Sequence, residues 1–493
     1  MNVVDYFFEH SKDLDTEFLV GTTESVSHHD LYVCVHSLAS HIRTRFGTGK
    51  KIVLLSENNL FFIQSYLSII LSGNIVVLVE TRISDRDLDD VLEQCQSPCV
   101  FVQGKYESRF KQCECIITEA TVEAYPRIRD EYPPDIPEDN PAVIIFTSGS
   151  TGTKKGVMLS HKNIIANTAS IIQYLDLTQN DRMYVVLPFF YCYGASLLHT
   201  HLRVGGSICI SNSIFLGSAL TDLNTYHCTG FAGVPSTYQI LINKTPFLKT
   251  SFPHLRYFTQ AGGQLANAYI SMITEAFPDV SFCVMYGATE ATARLSYLPP
   301  HLVKEKMGSI GKGIPGVRLE VLDPEGMPIL PHQTGEITAM GDNIMKGYYN
   351  DPEETRNKIR NGRLFTGDLA TIDDEGYIYI VGRASNIIKS AGYRISPVEI
   401  ENIISTVEGV GGCVIFGMPD SIMGEAVVAV IQSKEKDRKN LQGTILSKCN
   451  QCLPSYKIPK HMVVVKEFPR NSSYKVDHHI LKELVRKQIE EKQ

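Results

Sequence analysis

No block of basic residues interrupts this 493-residue sequence: Lys plus Arg number 47 against 54 Asp plus Glu, for a net charge of −7. Without a phosphate-neutralising stripe, nucleic acid is not the expected partner. Long apolar runs are missing too. The most apolar stretch, 63–79, is broken by Ser65, Ser68, Ser72, Gly73 and Asn74, and the opening MNVVDYFFEH carries no positive n-region, so neither a membrane span nor a secretion signal is expected. There are twelve cysteines, but no paired metal-ligand pattern. Cys449/Cys452 form a CxxC with no second pair, Cys113/Cys115 stand close, and Cys99, Cys209, Cys283 and Cys413 sit alone in apolar runs. That usage suits reduced core thiols in a cytoplasmic protein and offers no metal site among them. No internal repeat of fixed period is present. With 43% hydrophobic and 20% charged residues and a mean hydropathy of −0.06, the chain is neither disordered, collagen-like nor coiled coil. Its length excludes a disulfide-stapled scaffold and allows a large domain or several.

What is present from Lys51 onward is alternation. β-rich runs at 52–56, 75–79 and 99–102 are separated by helix-period stretches at 60–71 and 85–95. This order predicts parallel βαβ units with helices packed on a sheet, an α/β fold. A Pro-rich acidic stretch, 126–141, continues neither element and reads as a surface crossing into the apolar run 142–146, which suits a strand buried on both faces. After Gly382-Arg383 the pattern changes. Strands are expected at 412–416, 427–432 and 461–465 and helices at 397–407 and 441–451, enough for a small α+β domain of about a hundred residues. The expected division is a large domain, 1–383, and a small mobile one, 384–493, hinged at 383–386 around Ser385.

Directly after the 142–146 run comes Thr147-Ser148-Gly149-Ser150-Thr151-Gly152-Thr153-Lys154-Lys155-Gly156. Glycines let backbone N–H groups approach an anion, hydroxyls add donors and lysines add charge, which together describe a cradle for polyphosphate. The segment is not G-x-x-x-x-G-K-[ST], because neither Gly149 nor Gly152 has a Gly-Lys pair at the required spacing. A flexible Ser/Gly/Thr linker is the competing reading, although linkers seldom join a buried strand to a turn leading into a helix.

This loop resembles the phosphate loop of the AMP-forming acyl-CoA synthetase, luciferase and adenylation-domain superfamily, written [ST]-S-G-[ST]-T-G-x-P-K-G. Further signatures of that family follow in its order: Tyr286-Gly287-Ala288-Thr289-Glu290, Gly335-Glu336-Ile337, Thr366-Gly367-Asp368, Gly382-Arg383, Ile388 to Arg394, and Lys475. The resemblance spans essentially the whole chain. It implies that Asp368 and Arg383 hold the ribose, that Tyr286 stacks on the base, and that Thr289 meets the α-phosphate. Glu290 would be the carboxylate for Mg²⁺, which one carboxylate plus phosphate oxygens commonly holds. Isolated, the same residues would read as surface charges, a core tyrosine and a helix cap. Ala261-Gly262-Gly263 is similar to the stretch lining the adenine and acyl walls, with a simple turn as the alternative. Pro235-Ser236-Thr237 resembles the start of the helix flanking the acyl pocket, or is a helix start with no ligand role.

The implied reaction is attack of a substrate carboxylate on the α-phosphorus of ATP, with loss of pyrophosphate and formation of an acyl adenylate. Two anions must meet, so charge neutralisation is the main catalytic task. Lys155 and the Thr147 to Thr151 hydroxyls would hold the departing phosphates, and Lys475 would bridge the carboxylate and an α-phosphate oxygen. By the resemblance, the small domain then rotates and brings the Lys389-to-Gly392 segment to the site, where a thiol attacks the adenylate. No cysteine of the chain matches a family catalytic position, so the thiol is expected to be external: coenzyme A or the phosphopantetheine of a carrier protein.

Four positions depart from the family pattern. Lys154 replaces the usual proline, Ser385 stands at the hinge position commonly Asp or Lys, and Tyr474 replaces the glycine before the terminal lysine. Tyr191 occupies the usual histidine position in the aromatic segment 187–194, near where amino-acid-activating relatives place an aspartate. No acidic residue lies between Asp181 and Asp222, so the segment offers no partner for an α-ammonium. The acyl pocket is expected to be apolar and aromatic, walled by Phe189, Tyr191, Tyr193, Phe231 and Ala261. An AMP-forming carboxylate ligase making an acyl thioester is the leading expectation. Loading of a carrier protein, or a non-catalytic adenylate-binding scaffold, are the alternatives.

Overall fold

A computed structural model describes the chain apart from residues 22–23, 127–134, 149–153, 212–215, 391–392, 421–422, 434–437, 471–475 and 491–493. The first βαβ units form as the alternation predicts. Strands β1 (Lys51–Leu55), β2 (Ile75–Leu78) and β3 (Val100–Val102) pair in parallel, with β1 central. Helix α1 (Leu60–Leu71) joins β1 to β2, and Asn59 Oδ1 accepts the Phe62 amide at 2.7 Å as its N-cap. Almost all of α1 is buried, whereas α2 (Asp85–Cys95) buries only the stripe Leu88, Val91 and Cys95. Hydrophobicity all round and hydrophobicity on one face are thus realised as a core helix and a surface helix.

The phosphate loop differs from the expected strand–loop–helix. β4 (Pro141–Ser148) pairs in parallel with β2, and antiparallel with β5 (Lys154–Ser160), so the strands on either side of the loop pair with each other. Val157 and Leu159 of β5 are buried opposite Ile145 and Val143, a period-two pattern that makes this stretch a strand before it becomes a helix. α3 (His161–Leu175) then starts with a reciprocal cap between Ser160 and Asn163.

The larger sheet is mixed. β6 (Arg182–Val185), β7 (Gly230–Gly233), β8 (Tyr257–Gln260) and β9 (Ser281–Tyr286) run parallel, and β10 (Ser296–Leu298) is antiparallel to β9. α4 (Cys192–Val204) follows β6, and α5 (Pro235–Lys244), with Pro235 in its first turn, follows β7. An all-antiparallel sheet that the alternation did not indicate contains β11 (Arg363–Ile372) and β12 (Ile378–Arg383). Beyond Arg383 a single turn, Ala384–Asn386, leads to β13 (Ile388–Ser390) in a fourth sheet with its own apolar core around Ile400, Ala429 and Ile445. There the helix expected over 397–407 ends at Ile404 and the strand expected over 412–416 runs on to Asp420, because its hairpin with Gly424–Gln432 stays paired to the turn. Tyr269 Oη donates to the Gly411 carbonyl at 3.1 Å, and Lys244 pairs with Glu467, across the two parts of the chain. Among the described residues no helix is long and apolar enough to cross a membrane.

One carboxylate ties the N-terminal ends of three parallel strands. Asp181, buried just before β6, accepts Arg256 Nη2 at 2.9 Å on either oxygen, Thr229 Oγ1 at 2.9 Å and the Thr178 amide at 2.8 Å. Arg256 precedes β8 and Thr229 precedes β7. Removing the carboxylate leaves its donors without their acceptor, so Asp181→Ala is expected to cost about 3 kcal/mol of unfolding free energy. The reading is a lower urea midpoint at constant m; a loss under about 1 kcal/mol would show that water replaces the clamp.

Candidate active site

The parallel strands of the larger sheet end together, and the residues that follow them are those nominated from sequence. β6 runs out ahead of the aromatic segment, β7 ahead of α5, β8 ahead of Ala261-Gly262-Gly263, and β9 at Tyr286 ahead of Gly287. In parallel sheets ligands bind outside such carboxyl ends. Backbone crowding dictates the glycine at 287, where a Cβ would lie 1.9 Å from the Ala293 carbonyl oxygen. Gly262 turns the chain at φ +83, and the exposed Gly263 has its carbonyl held by Gln260 Nε2 at 2.7 Å.

Asp368 and Arg383 are cross-strand partners on β11 and β12. Arg383 Nε donates to Asp368 Oδ1 at 3.1 Å, and Tyr286 Oη donates to Oδ2 at 2.6 Å. The tight step at Thr366-Gly367 is locked by the Gly367 amide on Glu336 Oε1 at 2.8 Å and the Asp368 amide on Thr366 Oγ1 at 3.1 Å. Burial and the adjacent carboxylate push the Tyr286 hydroxyl far above its ordinary range, so it stays a donor. Each Asp368 oxygen keeps acceptor capacity for a further hydroxyl.

The other wall is a set of lysines already matched by carboxylates. Lys155 Nζ pairs with Glu354 Oε1 at 2.7 Å and lies 5.6 Å from the centre of the Tyr348 ring, and Tyr348 Oη donates to Glu290 Oε1 at 2.8 Å. Lys154 Nζ pairs with Glu80 Oε1 at 3.0 Å and Asp87 Oδ2 at 3.6 Å, while Tyr191 Oη donates to Glu80 Oε2 at 2.9 Å. Two family departures, Lys154 and Tyr191, therefore share one partner. Thr289 Oγ1 lies 3.6 Å from Cys192 Sγ, and Thr147 Oγ1 donates weakly to the Lys155 carbonyl at 3.4 Å. Among the described residues no cluster of three or more His, Cys, Asp or Glu encloses a metal. Glu290 offers a single hard carboxylate beside the loop lysine, a donor set that fits Mg²⁺, which takes most of its ligands from phosphates and water.

The acyl wall needs correction. Tyr193 is buried on α4, its hydroxyl 2.8 Å from Thr259 Oγ1, and Ala261 is buried at the end of β8. Phe231 does not join them: alternation along β7 places Ala232 on their side and turns Phe231 to the other face, against Tyr184, Tyr238 and Phe258. Phe189 is fully buried and packs on Phe62 of α1, 5.6 Å between ring centres. Nor is Tyr191 in purely apolar surroundings, since Glu80, remote in sequence, reaches it. Lys389 is exposed on β13, its amide donating to Glu425 Oε2 at 2.6 Å. Gly149, Ser150, Thr151, Gly152, Gly392 and Lys475, and the side chains of Ser148 and Ser385, lie outside the described residues. Sequence reasoning missed Glu80, Tyr348 and Glu354. Their only signals are position: Glu80 just past a buried strand, Tyr348 on a two-residue strand beside β5, and Glu354 on the short helix that follows it.

Comparison with known proteins identifies relatives over most of the chain. The AMP-binding enzyme family model matches residues 8–349, and the model of the AMP-binding enzyme C-terminal domain matches 399–475. The chain is 32% identical to a feruloyl-CoA synthase of Amycolatopsis sp over 356 residues, 70% of this chain and 71% of that protein. It is 27% identical to a 2-succinylbenzoate–CoA ligase of Geobacillus sp. over 445 residues, 89% of this chain and 88% of the relative. The crystal structure of ATP-bound MatB from Rhodopseudomonas palustris superposes with a TM-score of 0.88 at 24% identity, covering 98% of both chains. The acyl-adenylating fold is thus shared over the full length, and the chain belongs to the AMP-binding enzyme family, among its AMP-forming CoA ligases.

Proposed function

We propose that this protein joins a small carboxylic acid to coenzyme A in two steps at one site, using ATP. The observation that carries the reading is the meeting of Asp368, Arg383 and Tyr286 at the carboxyl ends of the strands, alongside Thr289, Glu290 and Lys155. Asp368 accepts the ribose hydroxyls with Arg383 beside it, Tyr286 faces the base, and Gly262 and Gly263 leave room for adenine. Thr289 donates to the α-phosphate. Lys155 exchanges Glu354 for the β- and γ-phosphates, helped by the loop from Thr147 to Gly152. Glu290 holds Mg²⁺, which when bound offsets charge on the triphosphate.

The carboxylate oxygen attacks the α-phosphorus, pyrophosphate leaves, and Lys475 neutralises the two anions as they meet. The turn around Ser385 then lets the small domain, 384–493, rotate against 1–383, so that Lys389 and Gly392 border the path of the thiol. The thiolate attacks the acyl carbon and AMP departs. Coenzyme A is the acceptor supported by the CoA-ligase relatives. The twelve cysteines, all free in the structure, support a reducing compartment and a cytoplasmic location. Lys154 is no sign of a lost active site, because its charge is matched by Glu80 and Asp87 while Lys155 keeps the loop position of the family lysine.

Incubation with ATP, coenzyme A and a panel of fatty, aryl and short polar acids is expected to yield AMP, pyrophosphate and an acyl-CoA for at least one acid. ADP as the nucleotide product would contradict the reading. Asp368→Ala is expected to weaken ATP binding by about 10²-fold, since hydrogen bonds to a charged acceptor contribute roughly 1.5–3 kcal/mol each; unchanged affinity by calorimetry would remove Asp368 from the ribose site. Glu290→Gln is expected to move the magnesium titration of adenylation to higher concentration. Superimposable titrations would place the metal elsewhere.

A further inference from the structure

Glu80 stands two residues past β2 and joins two segments that are remote from it and from each other in sequence. Its Oε2 accepts the Tyr191 hydroxyl at 2.9 Å, and its Oε1 accepts Lys154 Nζ at 3.0 Å. Tyr191 is the residue before α4, and Lys154 is the first residue of β5. The carboxylate is therefore divided, one oxygen to each segment. Both side chains of the ion pair are largely screened from water, 20% exposed for Lys154 and 21% for Glu80. A carboxylate at that depth is unfavourable without a partner, and Lys154 supplies the counter-charge. Asp87 Oδ2, in the first turn of α2 and 3.6 Å from the same Nζ, helps to hold the lysine on this side.

The tyrosine so held borders open space. Glu80, Lys154 and Tyr191 line one cavity together with Ile83, Val91 and Phe146. Phe190, buried and tilted against Tyr191 with 4.8 Å between ring centres, supports the ring from its own side. A ring beside a cavity has room to turn, and a hydrogen bond at its far end opposes that motion. The place matters to the chemistry. Cys192, the next residue, puts its sulfur 3.6 Å from Thr289 Oγ1. Under the ligase reading Thr289 meets the α-phosphate, so Tyr191 stands one residue from the point where the acid is activated.

We propose that Glu80 is a positioning residue for acid selectivity: it holds the Tyr191 ring as a fixed wall of the acyl pocket, with Lys154 as its counter-charge. The inference rests on the ligase reading. A fixed wall rejects an acid that is a methylene too long, whereas a ring released into the cavity gives way to it. Glu80 itself touches no reacting atom and acts through Tyr191. Lys154 and Tyr191, two of the departures from the family pattern, then serve one device.

The test is ATP–pyrophosphate exchange with the acid that the wild type uses best, against its homologues one and two methylenes longer. The wild type is expected to favour that acid over the longer ones by about tenfold or more in kcat/KM. Tyr191→Phe keeps the ring and loses the hydroxyl; it should cut that ratio by about fivefold or more, the scale of one hydrogen bond, with the KM of ATP unchanged. Glu80→Ala should cut it as far, and the double variant Tyr191→Phe/Glu80→Ala no further, because both substitutions remove the same hydrogen bond. Glu80→Gln keeps an acceptor for the phenol and should retain most of the selectivity. A wild type indifferent to chain length, or a Tyr191→Phe protein as selective as the wild type, overturns the inference and leaves the ligase standing. So do losses that add in the double variant, and a Glu80→Ala protein slowed alike with every acid, the signature of a carboxylate that only stabilises the fold. Exchange with no acid at all removes the ligase reading and the inference with it. Because Tyr191→Phe removes a single oxygen atom, poor folding of Glu80→Ala leaves the proposal falsifiable.

Discussion

Two anions have to approach one phosphorus atom, and the organisation of the site follows from that electrostatic constraint. Three described cations of the site are already matched: Lys155 by Glu354, Lys154 by Glu80 and Asp87, Arg383 by Asp368. The lysine pairings keep partly buried charges in place at modest cost, and under the proposed mechanism that of Lys155 is exchanged for a phosphate, a stronger multivalent partner.

The fold makes this arrangement rigid from below and adjustable from the side. Asp181 binds the starts of β6, β7 and β8 into one unit, so the carboxyl ends that bear the site are fixed relative to each other. The Asp368–Arg383 pair instead stands on the antiparallel sheet whose last strand, β12, runs into the turn at Ala384–Asn386. A ligand bound at Asp368 therefore sits directly across from Arg383, the last residue before the turn that leads to the fourth sheet. Under the proposed mechanism that is where rotation and nucleotide occupancy are coupled.

Legibility from sequence followed the range of the interactions. The βαβ units over 51–102 were readable to within about a residue because each strand and helix announces itself through local periodicity. β5 was missed, because Lys154-Lys155-Gly156 masks the alternation of Val157 and Leu159 that pairs it with β4. β6, β7 and β8 are four residues each, two of them flanked or interrupted by glycine and polar residues, too short for period to distinguish them. In the site, motif residues such as Asp368, Arg383 and Glu290 were legible as types in order. Their partners Glu80, Tyr348 and Glu354 were not, since nothing local links Glu80 to Tyr191. Phe231 shows the limit of type alone: an aromatic at the right strand still depends on which face of the sheet the register gives it.

Transfer of oxygen tests most directly whether the substrate carboxylate attacks the α-phosphorus. With a turned-over acid labelled in both carboxyl oxygens with ¹⁸O, plus ATP and coenzyme A, the bridging oxygen of the adenylate leaves with AMP when the thiol attacks the acyl carbon. The account predicts one ¹⁸O per AMP and none in pyrophosphate. Unlabelled AMP, or label appearing in inorganic phosphate alongside ADP, would contradict it.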